Sequence, residues 1–171
     1  MNSNLNQSLA DHMRNFRMPL YNQLPDMGLY LEQTVKYINQ CLAPLSGCEI
    51  TGSMVRNYVK MDLVANPEQK QYFADQIAHL IVITVLKTVL SLDHIQKLFT
   101  MQQATYSVPM AFDYFCMELE NLILFRFGVT DAVQDIGVTS SREKDMLRSA
   151  ITAVSHIIYL RACFDRVGGE Y

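Results

Sequence analysis

The amino-acid sequence predicts a mainly helical, all-α protein. Half of its 171 residues are hydrophobic and only 18% are charged, so the chain is too apolar to remain disordered. Glycine and proline are both absent from residues 68–108, 110–127 and 138–167. Uninterrupted blocks of this length are typical of helices, because strands usually extend over only about 4 to 8 residues.

Three parts are expected along the chain: an N-terminal helical segment at residues 1–23, a helical domain at 24–100 and a helical hairpin at 101–171. No internal repeat, low-complexity tract or flexible linker separates the hairpin from the rest. The net charge of −3 argues against a generally polybasic binder of nucleic acid or membranes, although it is compatible with a local basic face.

The sequence shows no pattern typical of export or membrane insertion. Residues 1–10 lack the basic head and apolar stretch of a secretory signal. The most apolar stretch, Ile77–Leu90, contains His79 and Lys87 and is shorter than the roughly 20 residues needed to cross a bilayer. We therefore expect a cytoplasmic protein with no membrane partner. The four cysteines form no Cys-x-x-Cys pair and are expected to be reduced thiols: Cys41, Cys48, Cys116 and Cys163.

Pro25 and Asp26 open the segment that contains the first helix of the 24–100 domain, and this helix is predicted to end near Pro44. Apolar residues recur along it at Leu29, Tyr30, Val35, Tyr37, Ile38 and Leu42. The second helix begins at Thr51, whose hydroxyl suits an N-cap. Its predicted inward face consists of Met54, Val55, Tyr58 and Met61. Its outward face is polar and locally positive and consists of Ser53, Arg56, Asn57 and Lys60.

Two more helices complete this domain. Ile77–Leu90 is predicted to be a buried helix, because its length outweighs its many β-branched residues. Ser91 fits the N-cap of the next helix, with Asp93 in the first turn. One face of that helix carries Leu92, Ile95, Leu98 and Phe99.

The hairpin is predicted over about residues 108–167. Ser107 can cap its first helix, which ends at Gly128, while Ser140 and Glu143 have capping-box spacing for the second. Apolar residues surround the first helix and occupy more than one face of the second, so a single packing face on each helix cannot bury all of them. These residues are Leu122, Leu124, Phe125, Phe127, Ile157, Ile158 and Leu160. We expect a homodimer formed through these helices. The alternative is that they pack within one chain onto Leu5, Leu9, Phe16 and Leu20.

The hairpin also offers residues for a pocket that binds an unidentified small-molecule effector. The residues concerned are Met110, Phe112, Phe115, Met117, Phe125 and Phe127. Aromatic and methionine residues at helical spacing are more typical of a core, so the sequence names no ligand.

An ordered series of motifs lies between residues 54 and 98. In chain order they are Arg56-Asn57-Tyr58, Lys70-Gln71-Tyr72, the apolar helix at 77–90 and Ser91-Leu92-Asp93-His94-Ile95. This order resembles the DNA-binding domain of MerR-like regulators, which is a winged helix-turn-helix. Over about residues 24–100 the chain also resembles the uncharacterised bacterial family named domain of unknown function 1836.

The MerR-like resemblance implies that the second helix lies in the major groove of double-stranded DNA and that residues 65–70 form a wing. The implied DNA-binding residues are Ser53, Arg56, Asn57, Tyr58, Lys60, Lys70 and Tyr72. For Tyr72, either packing or donation of its hydroxyl to a phosphate is expected. We therefore expect a non-enzymatic transcription regulator that binds DNA as a dimer and needs no cofactor.

Some features depart from the MerR-like pattern. Asp62 stands where that pattern has a glycine, residues 43–50 replace a tight turn, and Glu68 lies in the wing. Residues 26–97 hold six Lys or Arg against seven Asp or Glu, so one copy has little charge for binding phosphate. The alternative function is an all-helical protein-interaction or effector-sensing protein that has lost DNA binding.

The sequence shows no catalytic or metal-binding pattern. Its histidines are dispersed without a His-x-x-x-His pair: His12, His79, His94 and His156. Glu118 and Glu120 lie two apart on a helix and are expected to point in different directions, which disfavours a paired acid and base.

Overall fold

In residues 2–137 and 139–167, which the computed structural model describes, seven α-helices and one two-stranded sheet confirm the mainly helical class. The elements are α1 (Asn2–Met13), β1 (Leu29–Tyr30), α2 (Leu31–Cys41), α3 (Gly52–Lys60), β2 (Gln71–Tyr72), α4 (Ala74–Leu86), α5 (Leu92–Gln103), α6 (Val108–Arg126) and α7 (Arg142–Val167). Met1, Val138 and residues 168–171, which belong to the predicted N-terminal and hairpin segments, lie outside the described residues. Within the described part of the chain, no helix is both long enough and apolar enough to cross a bilayer.

Helix α4 lies at the centre of the fold. From Gln76 to Leu86 every residue except His79 is buried, and α4 packs against α2, α5, α6 and α7. A helix with neighbours on all sides needs apolar residues around its whole circumference, so this sequence has no continuous polar face. The helix ends at Leu86, earlier than predicted, because the amides of Thr88 and Val89 bond carbonyls only three residues before them and so form tighter turns. Leu90 is consequently only half-buried.

The prediction that Leu29 and Tyr30 belong to the first helix of the 24–100 domain is wrong. Residues Leu29 and Tyr30 form β1 instead, which pairs antiparallel with β2 so that Leu29 lies opposite Tyr72. Helix α2 begins at Leu31. Apolar periodicity cannot show such pairing, because the partner strand lies far along the chain.

Helix α3 is capped as predicted. The Oγ1 of Thr51 accepts a hydrogen bond from the Met54 amide at 3.3 Å. Val55 and Tyr58 are buried as predicted, whereas Met54 and Met61 are exposed and the prediction for them is wrong. Helix α3 has only nine residues and packs on α2 along one side. It therefore buries fewer side chains than the four that the apolar pattern predicted.

Helices α6 and α7 lie where the hairpin was predicted, and they pack against each other. The Oγ of Ser107 accepts a hydrogen bond from the Met110 amide, as expected for the cap of α6. At α7 the Oγ of Ser141, not Ser140, accepts from the Lys144 amide at 3.3 Å. The predicted capping box is wrong by one residue, because two adjacent serines satisfy nearly the same pattern.

Helix α1 covers part of the hairpin. It packs against α6 and α7, and its Leu9 and Met13 are buried together with Phe16 in one continuous core. Most of the hairpin's surplus apolar residues are therefore buried within one chain, namely Leu122, Leu124, Phe127 and Ile158. Phe125 and Leu160 remain exposed. Phe112 and Phe115 are buried in the core, where they line a cavity of only about 30 Å³.

The central position of α4 predicts the effect of truncating Leu80, which is fully buried. The Leu80→Ala variant is expected to lose about 2 to 5 kcal/mol of unfolding free energy, because it removes apolar contacts and leaves a cavity. Urea denaturation followed by circular dichroism measures this loss. A denaturation midpoint equal to that of the wild type would contradict the central position of α4.

Candidate nucleic-acid interface

Helix α3 presents one polar face to solvent. Its exposed residues Ser53, Arg56, Asn57 and Lys60 follow one another at intervals of three, one and three positions, and they therefore lie on one side of the helix. The opposite side is formed by Val55 and Tyr58, which are buried. The fold thus brings together four of the seven residues predicted to bind DNA.

The cations of this region are available to an anionic ligand. Arg56 and Lys60 on α3 and Lys70 beyond it are exposed. Among the described residues, none of the three forms an ion pair with a carboxylate. The side-chain amide of Asn57 donates only to the sulfur of Met61, at 3.4 Å. These side chains would give up few internal contacts on binding a ligand.

Tyr58 and Tyr72 do not lie on this surface. Both rings are buried, at 4% exposure each, and burial raises the pKa of both phenols. The positive charge of Arg56 partly offsets this increase in the pKa of Tyr72. Of the two roles expected for Tyr72, the structure supports packing.

Lys70 lies in a tight turn that follows α3. Glu68 and Gln71 exchange two backbone hydrogen bonds of 3.0 and 2.8 Å across the turn. The two residues between them, Gln69 and Lys70, have φ angles of 49° and 67°. Positive φ at both central positions is characteristic of a type I′ hairpin turn, which usually contains asparagine and glycine. The turn leaves Lys70 exposed beside the acidic Glu68.

Two sets of contacts attach this turn to the rest of the fold. The pairing of β2 with β1 connects it to the start of α2. The buried side chain of Gln76 accepts a hydrogen bond from the Phe73 amide and donates to the carbonyls of Ala65 and Asn66. The connection between α3 and α4 is therefore held at both ends.

Gln76 is a loop-positioning residue that the sequence pattern did not single out. Gln76 lies three residues after Phe73, the N-cap of α4, and a glutamine at this position is the second half of a capping box. This spacing could have predicted the hydrogen bond from the Phe73 amide to Gln76. Its bonds to residues 65 and 66 could not have been found in that way, because they depend on the path of the preceding loop.

Asp62 ends α3 in a left-handed conformation, with φ of 57°. The Leu63 amide bonds the Tyr58 carbonyl and the Asp62 amide bonds the Val59 carbonyl. These are the two hydrogen bonds of a Schellman motif, in which glycine is favoured because it has no Cβ. Aspartate is among the few other residues that tolerate this conformation. The glycine expected here by resemblance is thus replaced without loss of the turn.

The two neighbouring carboxylates of α6 serve different contacts. Glu118 is fully buried, lies 3.1 Å from the Nε of Arg148, and has its pKa raised by burial. Glu120 accepts a hydrogen bond from the Met18 amide at 3.0 Å and lies 3.6 Å from Arg17. Within residues 2–137 and 139–167, no three metal-ligating side chains come together.

These features define a mainly helical protein with a polar, partly cationic helix face next to an anchored tight turn. Residues 19–115 match the family described as Domain of unknown function (DUF1836). The match covers more than half of the chain, and the protein belongs to this family. It extends from before β1 into the first half of α6. Comparison with curated proteins and with solved structures finds no match.

The Schellman motif predicts that Asp62→Gly is more stable than Asp62→Ala by about 1 kcal/mol, because alanine is strained at positive φ. Urea denaturation of both variants measures the difference. The same pair of substitutions at Gln96, an exposed position inside α5, is the matched control. There alanine is expected to be more stable by about 1 kcal/mol. Equal stability of the two Asp62 variants would contradict the left-handed conformation.

Proposed function

We propose that this protein is a MerR-like, non-enzymatic transcription regulator that acts in the cytoplasm and binds double-stranded DNA as a homodimer. The observation that carries the proposal is the solvent face of α3, formed by Ser53, Arg56, Asn57 and Lys60. Its cations have no ion-pair partner among the described residues. The ordered motifs of the MerR-like resemblance are the second support.

In this proposal α3 lies in the major groove. Arginine and asparagine side chains can each form paired hydrogen bonds with base edges, so Arg56 and Asn57 suit base recognition. Lys60 and Lys70 suit the phosphates on either side. Tyr58 has a different role from the one implied by resemblance, and Tyr72 takes the packing role that was one of the two expected for it. As buried residues they support the base of the interface instead of contacting DNA.

The connection between α3 and α4 corresponds to the proposed wing. It contains a two-residue hairpin turn, which exposes Lys70. It is attached by the β1–β2 pair and by Gln76, and a fixed position for Lys70 would reduce the entropy lost on binding a phosphate. The adjacent Glu68 reduces the local positive charge, so each wing contributes only weakly.

Because one copy has few cations, the proposal requires two copies on one DNA site. Linked binding of two weak modules raises the overall affinity without new contacts. MerR-like proteins pair through helices that follow the DNA-binding domain, and in this chain α7 has a suitable exposed face. The dimer is thus part of the binding mechanism.

The exposed face of α7 has the spacing of a helix-pairing seam. Its residues recur at alternating intervals of four and three, with a final interval of four: Arg142, Met146, Ser149, Ala153, His156, Leu160 and Phe164. Leu160 and Phe164 are 47% and 70% exposed. Beside this seam, an apolar groove of about 650 Å³ lies between α7 and the α4–α5 junction.

Two α7 helices would be complementary in antiparallel orientation about Ala153. This arrangement places Met146 of one copy opposite Leu160 of the other, and Asp145 opposite Arg161. The small side chain at the centre permits close approach, the first pair is apolar with apolar and the second is acid with base, and Arg142 lies opposite the ring of Phe164. A two-fold interface has this self-complementary form.

The DNA-binding proposal predicts that Arg56→Ala and Lys60→Ala each weaken binding. Loss of the Lys60 contact with a phosphate should reduce the magnitude of the slope of log affinity against log salt concentration by about 0.9, whereas loss of the Arg56 contact with a base edge should weaken the preference between DNA sequences. Gel-shift titrations of duplex DNA at several salt concentrations measure both effects. Arg14→Ala is the matched control, because Arg14 is an exposed arginine on the segment after α1 that pairs with Asp11.

Two results would contradict DNA binding through α3. One is that the Arg56→Ala and Lys60→Ala variants bind DNA with the same affinity and salt dependence as the wild type. The other is no retention of the wild type on any duplex at low salt, which would favour the alternative of a protein-interaction or effector-sensing role.

The dimer proposal predicts that Met146→Glu combined with Leu160→Glu converts a dimer into a monomer, because in the antiparallel arrangement it places two pairs of carboxylates opposite each other at exposed apolar positions of the seam. Light scattering coupled to size exclusion at tens of micromolar protein measures the mass. Phe125→Glu is the matched control, since Phe125 is an exposed aromatic residue on α6 outside the seam. A monomeric wild type, or a double variant that remains dimeric, would contradict pairing through α7.

A further inference from the structure

A cavity of about 460 Å³ lies between the end of α5, the first half of α6 and the first turn of α7. Its walls are mainly apolar and aromatic, formed by Tyr106, Met110, Tyr114, Met117, Ile136 and Leu147. This volume is within the range of sites for small organic ligands. Met110 and Met117 belong to the pocket residues predicted from the sequence, whereas the predicted phenylalanines are absent from its lining.

One ammonium group lies between the two aromatic rings of this cavity. The Nζ of Lys144 is 5.8 Å from the ring centre of Tyr106 and 5.2 Å from that of Tyr114. It also donates hydrogen bonds of 3.0 Å to the carbonyl and the hydroxyl of Thr139. An ammonium has three N–H donors, so one remains for a ligand.

Gly137 leaves space for this ammonium group. Its φ angle is 91°, and a Cβ at this position would lie 3.1 Å from the Nζ of Lys144 and 3.5 Å from the Cε2 of Tyr114. A side chain here would therefore crowd both the cation and the ring.

The lining also holds two carboxylates, of which Asp113 has a hydrogen-bond partner outside the cavity. Asp113 accepts a hydrogen bond of 2.6 Å from the Tyr21 amide. Glu143 lies in the first turn of α7, where the positive end of the helix dipole stabilises a carboxylate. A cationic ligand would meet Lys144 in the position between the rings, where its charge would be repelled. An anionic group would instead meet the remaining N–H donor.

We infer that this cavity is a binding site for an aromatic monocarboxylate, whose carboxylate pairs with Lys144 and whose ring packs among Tyr106, Tyr114 and the two methionines. The tyrosine rings and methionine sulfurs favour an aromatic body over a flexible aliphatic one. The site itself does not require DNA binding. Its role as the effector site of a regulator rests on the function proposed above.

The test is calorimetric titration of the full-length protein, without DNA, with naphthalene-2-carboxylate, the neutral 2-naphthylmethanol, the cationic 2-naphthylmethylammonium and the aliphatic decanoate. We expect saturable binding of naphthalene-2-carboxylate, at least about tenfold tighter than that of the other three probes, because only this probe combines a charge-assisted hydrogen bond with aromatic packing. Because DNA is absent, failure here is distinct from failure of the DNA-binding proposal.

Substitution of Lys144 locates the site. Lys144→Met removes the charge and nearly preserves the length, so it should abolish the preference for the carboxylate over the neutral probe. Lys144→Arg keeps a cation and should retain the preference. Lys36→Met is the matched control, because Lys36 is an exposed lysine on α2 and is absent from the lining of this cavity. Thermal unfolding of each variant shows that it is folded.

Four outcomes would overturn the inference. They are no saturable binding of naphthalene-2-carboxylate, equal affinity for the neutral or cationic probe, equal affinity for decanoate, and a folded Lys144→Met variant that binds as the wild type does. A loss of preference in both the Lys144→Arg and Lys36→Met variants would also overturn it, because the effect would not depend on a cation in this cavity.

Discussion

The burial of α4 on all sides is the constraint on which the rest of the structure depends. A helix whose residues from Gln76 to Leu86 are almost all inaccessible to water requires a neighbour on every face. Helices α2, α5, α6 and α7 provide these neighbours. Because they come from both halves of the chain, the predicted 24–100 domain and the hairpin share one continuous core.

This arrangement also determines where polar groups can act. Helix α3 packs on α2 through Val55 and Tyr58, so its remaining polar residues face solvent. The buried Gln76 at the start of α4 holds the loop that precedes β2. The most buried helix thereby fixes the position of an exposed cationic surface, although it contributes no residue to that surface.

The proposed DNA surface, pairing seam and ligand cavity occupy different parts of the same core. The DNA surface lies on α3, while the seam and the cavity share α7, whose first turn carries Lys144 and whose exposed side carries Leu160. A ligand that contacts the first turn of α7 would act on the helix that is proposed to join the two copies. In the proposed regulator, this shared helix connects effector binding to the spacing of the DNA-binding surfaces.

The sequence alone determined the helical class, the caps at Thr51, Ser91 and Ser107, and the polar face of α3, because these depend on spacing within a few turns. Only the tertiary structure decided the features that require distant residues to meet. The β1–β2 pair, the bonds of Gln76, the packing of α1 on the hairpin and the position of Lys144 between two tyrosines are of this kind. The burial of Tyr72 was also decided only by the tertiary structure, because local periodicity carries no information about contacts with residues far along the chain.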